Sequence, residues 1–289
     1  GEARMTDDAI EAPELTADSV LRVSDEHFDA DNVAIVTGGA SGIGQATAVA
    51  TATNGLTTVA TDVDEDGLQE TADIASDLDA PGEIHTVEAD LTSDEELEGI
   101  VDAAADLGEV RFLANIAGIQ HVVPIEEFPM DTYDTMHEIM LRAPLYLSKL
   151  VVPHVRETED GVGSIGNMSS VHGHYVTLDK VAYNVMKFGI RGLTQSIAAE
   201  GEGTLRSFSV STAYVKTPLV TNQIADTARE RGISEREVVE DVMLGQARVK
   251  EMMDPIDVGN LFVFGFSHHG RHLDAGDLLF DGGYTLTYE

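Results

Sequence analysis

Tyr183 and Lys187 stand four residues apart in a stretch of helical pattern over 178–200. Four residues make one helical turn, so both side chains share a face. An ammonium beside a phenol stabilises the phenolate and lowers its pKa, which suits the tyrosine to general acid or base work near neutrality. A solvated helix face also produces such a pair by chance. Ser170 weighs against chance. It lies thirteen residues upstream, just after a predicted strand, where a hydroxyl can orient a reacting oxygen.

A second constellation suits phosphate rather than proton chemistry. A β-rich run over 33–37 leads into Thr37-Gly38-Gly39-Ala40-Ser41-Gly42-Ile43-Gly44, and then into a helix over 43–54. Glycines permit the tight turn and let the backbone approach a pyrophosphate at the helix N-terminus. Asp62 ends the second predicted strand, 24 residues after Gly38. A carboxylate there accepts hydrogen bonds from both adenosine ribose hydroxyls and repels a 2′-phosphate, which favours NAD over NADP. The alternative is a structural glycine turn and one more surface acid.

The elements that must position these residues alternate regularly. Strands are predicted over 33–37, 57–61, 84–88, 110–114, 163–168, 207–212 and 278–280. Helices are predicted over 43–54, 65–76, 93–106, 130–155, 178–200 and 256–266, with one or two acidic helices in 219–253. This rhythm implies βαβ units, right-handed crossovers and a parallel sheet. The fold class is a Rossmann-like doubly wound α/β sheet with helices on both faces, in a single domain over 32–289. Residues 1–31 read as an acidic extension, with Met5 as the start residue behind four added ones.

Composition narrows the partners. The 289 residues carry 17 Lys+Arg against 52 Asp+Glu, a formal charge of −35. Such a surface repels nucleic-acid phosphates and anionic lipid. With 43% hydrophobic residues the chain can build a core, so the acid excess does not mean disorder. It reads as the lysine-poor skin of a halophile's cytoplasmic protein, folded best when salt screens the self-repulsion. Cysteine is absent, which excludes disulfides and thiol catalysis. His268, His269 and His272 read as a solvated loop rather than a metal site.

Taken together, these motifs resemble those of the short-chain dehydrogenase/reductase family over residues 32–289. Thr37–Gly44 resembles its TGxxxGxG turn, Asp90-Leu91 its adenine-contacting pair, and Asn115-Ile116-Ala117-Gly118 its NNAG run. The resemblance implies a catalytic set of Ser170, Tyr183 and Lys187. It implies NAD contacts from Gly38, Ser41, Gly42, Ile43, Gly44, Asp62, Val63, Asp90, Leu91, Asn115, Ala117, Gly118, Tyr183, Lys187, Val215 and Thr217. It also implies a homotetramer.

A narrower resemblance is to the D-3-hydroxybutyrate dehydrogenase subfamily. It rests on Gly118-Ile119-Gln120-His121, Pro124-Ile125-Glu126-Glu127-Phe128-Pro129, Ser170-Val171-His172-Gly173, Lys180-x-x-Tyr183 and Thr217-Pro218-Leu219-Val220. It implies a small-molecule substrate whose carboxylate is held by Gln120, His172, Lys180 and Gln223, beside Ser170 and Tyr183. Another hydroxy acid, a polyol or a steroid-like alcohol is the alternative. The chain departs from the family at three places. Met140 stands where the family has an Asn that holds a water in its proton relay, and a thioether cannot donate that bond. Thr212-Ala213 replaces a Pro-Gly pair, and Tyr214 and Tyr284 resemble tryptophan positions. Met140 also keeps open a weakly active NAD-binding protein.

Overall fold

The computed structural model describes residues 11–286, apart from the side chains of Asp226 and Glu230. A start at Met5 falls outside the described residues. The first strand, β1 (Asn32–Thr37), is buried along its whole length. Its β-branched run belongs in a central parallel strand covered on both faces. After it come α1 (Gly42–Thr53), β2 (Thr57–Asp62), α2 (Glu65–Asp77), β3 (Ile84–Glu88), α3 (Asp94–Ala105) and β4 (Glu109–Asn115). The second half holds α4 (Met130–His137), α5 (Ala143–Glu157), β5 (Gly163–Met168), α6 (Val181–Glu200), β6 (Leu205–Thr212), α7 (Pro218–Arg231), α8 (Glu235–Glu237), α9 (Pro255–Phe266) and β7 (Asp277–Phe280).

The seven strands form one parallel sheet in the order β3-β2-β1-β4-β5-β6-β7. This is the expected Rossmann-like arrangement. The pleat divides the core in two. Val33 and Ile35 of β1 face α3 and α5, through Leu97, Ile100, Leu147 and Val151. Ala34 and Val36 face α1, α2 and α9, through Ala48, Leu68, Val258 and Phe262. Strand order reverses between β1 and β4, and ligands bind at such a switch point, beyond the carboxyl ends of the strands.

Most predicted elements lie within two residues of their observed bounds, and three differ instructively. The run over 130–155 is not one regular helix: a π turn at Glu138–Arg142 separates α4 from α5. The helix expected from 178 begins at Val181, because Asp179 takes a left-handed φ of 63° and leaves Lys180 as the N-cap. In 219–253, α7 ends at Gly232 with a φ of 66°, and α8 runs into a second π turn at Val238–Met243. This segment keeps its own small core of Ile224, Val238, Val239, Met243 and Met252.

The chain before β1 packs on α1 and α9. Val20 is buried against Ala46, Ala50, Ile256 and Val263. Two asparagines hold the backbone there. Asn260 takes the Leu21 amide (2.8 Å) and donates to the Ser19 carbonyl (2.9 Å), and Asn54 does the same for Val23 and Leu21 (both 2.8 Å). Among the described residues no helix is long and apolar enough to cross a membrane.

Candidate active site

The switch point is opened by one hydroxyl. Thr37, at the end of β1, accepts the backbone amides of Ile116 (3.0 Å) and Ala117 (3.1 Å) beyond β4. The chain then turns through Gly38 at φ 69° and Gly42 at φ 55°, a region L-residues rarely adopt. A Cβ on Gly38 would lie 3.0 Å from the Ala117 Cα, and one on Gly44 only 1.9 Å from the Gly38 carbonyl oxygen. At Gly38 and Gly44 the turn therefore has room for a ligand against its backbone but none for a side chain. A cleft of about 290 Å³ runs over it.

Of the residues expected to hold the cofactor, Gly38, Ser41, Gly42, Ile43, Gly44, Asp62, Val63, Asp90, Leu91, Ala117, Gly118, Val215 and Thr217 line this cleft, with Ser170, Tyr183 and Lys187 at its other end. Asn115 does not line it. Its side chain is buried and donates to Asn167 of β5 (2.9 Å), so it braces the sheet behind the site. The Asp62 carboxylate is fixed by the amides of Val63 (2.8 Å), Asp64 (3.2 Å) and Ala40 (3.3 Å). Asp90 is turned toward Thr92, which donates both its amide (2.9 Å) and its hydroxyl (2.8 Å). A glycine cradle with a fixed carboxylate at its far end fits a dinucleotide: the cradle takes the pyrophosphate and the carboxylate accepts ribose hydroxyls.

At the other end, Ser170 caps a 3₁₀ turn, Val171–Gly173, through the His172 amide (3.1 Å). Tyr183 and Lys187 project from the first two turns of α6 toward it. The Lys187 ammonium donates to the Met168 carbonyl (2.8 Å) and lies 5.3 Å from the centre of the Tyr183 ring. Burial brings Lys187 down to about 8. The expected lowering of the Tyr183 pKa is corrected here. Burial raises it, and hydrogen bonding from Ser170 only partly offsets this. The Lys187 ammonium gives its hydrogen bond to the Met168 carbonyl rather than to Tyr183.

The four residues expected to hold a carboxylate differ in what they present. Gln223 donates to the Leu219 carbonyl one turn back in α7 (2.7 Å), and the Gln120 side-chain oxygen takes the His121 amide (3.2 Å), so both turn to their own backbone. His172 is buried with both ring nitrogens engaged, Nδ1 with Ser170 (3.2 Å) and Nε2 with Thr177 (3.0 Å). Burial, then the charges of Lys180 and Lys187, bring its pKa down to about 4. Lys180 differs. Its ammonium is half-buried, its pKa is lowered by burial, and no acid pairs with it among the described residues.

Sequence reasoning missed several contributors. Ile119, Ile139 and Val220 also line the cleft. Tyr175 stacks on Tyr284 (centroids 6.1 Å), which meets Tyr214 edge-on (6.3 Å), and Tyr175 joins this cluster to His172 (5.6 Å). Burial pushes Tyr214 up to about 12 and raises Tyr175 as well, so both rings stay neutral. An aromatic between Ser170 and Tyr183 was the available signal for Tyr175. Asn184, which anchors the loop by donating to the Thr177 carbonyl (3.0 Å), gave none.

Comparison with known proteins agrees with this geometry. The family model described as short chain dehydrogenase matches residues 32–228. The D-beta-hydroxybutyrate dehydrogenase of Rhizobium meliloti is 32% identical over 255 residues, which is 87% of this chain and 98% of that protein. The crystal structure of a levodione reductase superposes with a TM-score of 0.83 at 27% identity, over 90% of this chain and all of that one. A structure described as an NAD(P)-dependent gluconate 5-dehydrogenase of Beutenbergia cavernae, with NADP bound at low occupancy, gives 0.79 at 26% identity, over 90% of this chain and all of that one.

Proposed function

Since the chain belongs to the short chain dehydrogenase family, we propose that it is an NAD-dependent oxidoreductase that reversibly oxidises D-3-hydroxybutyrate to acetoacetate. The observation that carries the substrate is Lys180. A half-buried ammonium without an acid partner, in a chain of net charge −35, fits a small carboxylate held beside Tyr183. The Rhizobium meliloti relative supports the same reading. The apolar lining from Ile119, Ile139 and Val220 with one charged anchor favours a short hydroxy acid over a polyol. Gln120 and Gln223 join the carboxylate by rotating off their own backbone.

When bound, the dinucleotide supplies the hydride acceptor. Gly38–Gly44 hold its pyrophosphate, Asp62 its adenosine ribose and Lys187 its nicotinamide ribose. Asp62, with an exposed Val63 and no arginine behind it, supports NAD over NADP. Ser170 orients the alcohol oxygen, and Tyr183 as phenolate takes the hydroxyl proton. Exposed Leu145, Val185 and Phe188 on α5 and α6 support association into a homotetramer.

The test is a panel of hydroxy acids, polyols and cyclic alcohols with NAD and NADP, read at 340 nm from low to molar KCl. The fastest turnover should be D-3-hydroxybutyrate with NAD at high salt. Preference for an uncharged polyol would overturn the role of Lys180.

A further inference from the structure

Asp277, at the start of β7, is a carboxylate that the chemistry above leaves unused. Its side chain is 11% exposed. One oxygen accepts the hydroxyls of Ser209 (2.5 Å) and Ser211 (2.7 Å) of β6. The other accepts from His174 Nε2 (2.8 Å), which also lies 3.2 Å from the Ser211 hydroxyl. A carboxylate only accepts, so donors from a strand and from a loop converge on one anion. Ser209 and Asp277 are also register partners in the sheet, which fixes the carboxylate against β6.

The two segments joined in this way both lead to the cleft. His174 closes the 3₁₀ turn that Ser170 opens, and its amide donates to the Val171 carbonyl (2.9 Å). Ser211 runs into Thr212, Ala213 and Val215, which line the cleft. The turn is tied to α6 by other bonds. Arg191 donates to the Gly173 carbonyl (2.8 Å) and Ser169 to the Lys187 carbonyl (3.0 Å), which sets Ser170 against the helix that carries Tyr183. Toward β6, the Ser169 amide donates to the Val210 carbonyl (2.8 Å) just before Ser170. After Ser170, the chain is gripped from β7 by Asp277 at His174, and Tyr175 stacks on Tyr284 (6.1 Å).

We propose that His174 is a positioning residue for hydride transfer: through Asp277 it fixes the Ser170 turn relative to residues 212–215 on the wall of the cleft. Neither His174 nor Asp277 lines the cleft, so the pair acts through the residues it joins. Hydride transfer needs the alcohol carbon, oriented by Ser170 and Tyr183, in line with an acceptor held in the cleft. A misplacement of about 1 Å can cost on the order of 10²-fold in rate. The bonds to α6 hold Ser170 and Tyr183 together as one unit. The bond to Asp277 holds that unit to the far edge of the sheet, through the same two serines that precede the cleft wall. The proposal rests on the oxidoreductase reading with Ser170 and Tyr183 at the alcohol, but not on the identity of the alcohol.

The experiment uses whichever secondary alcohol the wild-type protein oxidises fastest, with rates counted per NADH-binding site. His174→Ala should lose at least about fivefold in kcat, with KM for the alcohol and Kd for NADH each within about twofold. With the alcohol deuterated at its carbinol carbon, the isotope effect on kcat should be at least as large as in the wild type. His174→Gln places an amide donor where Nε2 stands and should recover kcat to within about twofold. Asp277→Ala should be as slow as His174→Ala, and the double variant within about twofold of either, because both break one link. Hydrogen exchange of the protein alone needs no substrate, so it separates a wrong link from a wrong reading of the reaction. His174→Ala should speed exchange in 170–175 and in 212–215 alike, with β1 unchanged. Full turnover in the alanine variant, a glutamine variant as slow as alanine, additive losses in the double variant, an isotope effect falling toward one, or faster exchange in 170–175 alone would each overturn the proposal.

Discussion

The two ends of the cleft are built by opposite means. At the dinucleotide end the turn is shaped by backbone, with no space for a Cβ at Gly38 or Gly44. At the substrate end, side chains join segments far apart in sequence. His174 meets Asp277 of β7 at 2.8 Å, and Asp277 also takes the hydroxyls of Ser209 (2.5 Å) and Ser211 (2.7 Å). Asn184 holds Thr177, and the Val123 amide donates to the Asp179 carbonyl (2.8 Å). The first end should respond most to an added atom in the turn and, beyond the turn, to loss of the Asp62 carboxylate. The second should respond to any change that removes a polar group.

The sharpest break between the ends is Tyr183→Phe. It keeps the ring against Met140 and loses only the exchangeable proton. Turnover should fall by about 10²–10⁴-fold or more, while NADH affinity measured by fluorescence stays within about twofold. In the wild type, burial raises the Tyr183 pKa and oxidation needs the phenolate. Oxidation should therefore climb with pH through the alkaline range, and the reverse reduction should fall over the same range. Gly44→Ala probes the other end. Its Cβ would lie 1.9 Å from a carbonyl oxygen, so the turn must deform, and NADH affinity should drop at least about tenfold. Gly99→Ala in α3 is the control. It meets nothing within 4 Å and should raise stability by about 0.5–1 kcal/mol with binding unchanged.

The same contrast explains what could be read from the sequence. Glycines at forced backbone angles, an acid at a strand end and Tyr-x-x-x-Lys are local patterns, and these residues line the cleft. The β-branched runs of β1 and β2 likewise announce buried parallel strands. Asn115 was misread because a strand-end residue faces either the ligand or the sheet, and sequence does not say which. The direction of the Tyr183 shift was misread because helical spacing gives proximity to Lys187 but not which part of the ring the ammonium faces. The Ser170–His172–Thr177 chain depends on a 3₁₀ turn and a left-handed Asp179, and neither has a periodic signal.

Two smaller changes sharpen the comparison. Asp62→Ala with Val63→Arg should shift the NAD-to-NADP preference by about tenfold or more and leave alcohol KM alone, because the change is confined to the backbone-built end. NADP use by the wild type at NAD-like affinity would remove the role given to Asp62. Lys187 offers a stability measurement. Its folded pKa of about 8 lies below the ordinary lysine value of 10.5, so between these values the unfolded chain binds more protons. Stability should then rise with pH across that window. The slope should be smaller in Lys187→Met, followed by urea midpoints at several pH values.

The smallest expected effect is at Met140. Asn there would restore a donor beside Gly118 and Tyr183 and offer the relay a second exit. With Lys187 beside the Tyr183 ring to serve proton release, Met140→Asn should change kcat by less than about threefold. The cost falls on packing instead. Met140 is 4% exposed, at a π turn among Met136, Ala182 and Met186, and burying an amide there without full partners destabilises by about 1–3 kcal/mol. A melting curve must first show the variant folded. If Met140→Asn alone raises kcat tenfold, proton release limits the natural enzyme and the substrate end lacks an efficient exit of its own.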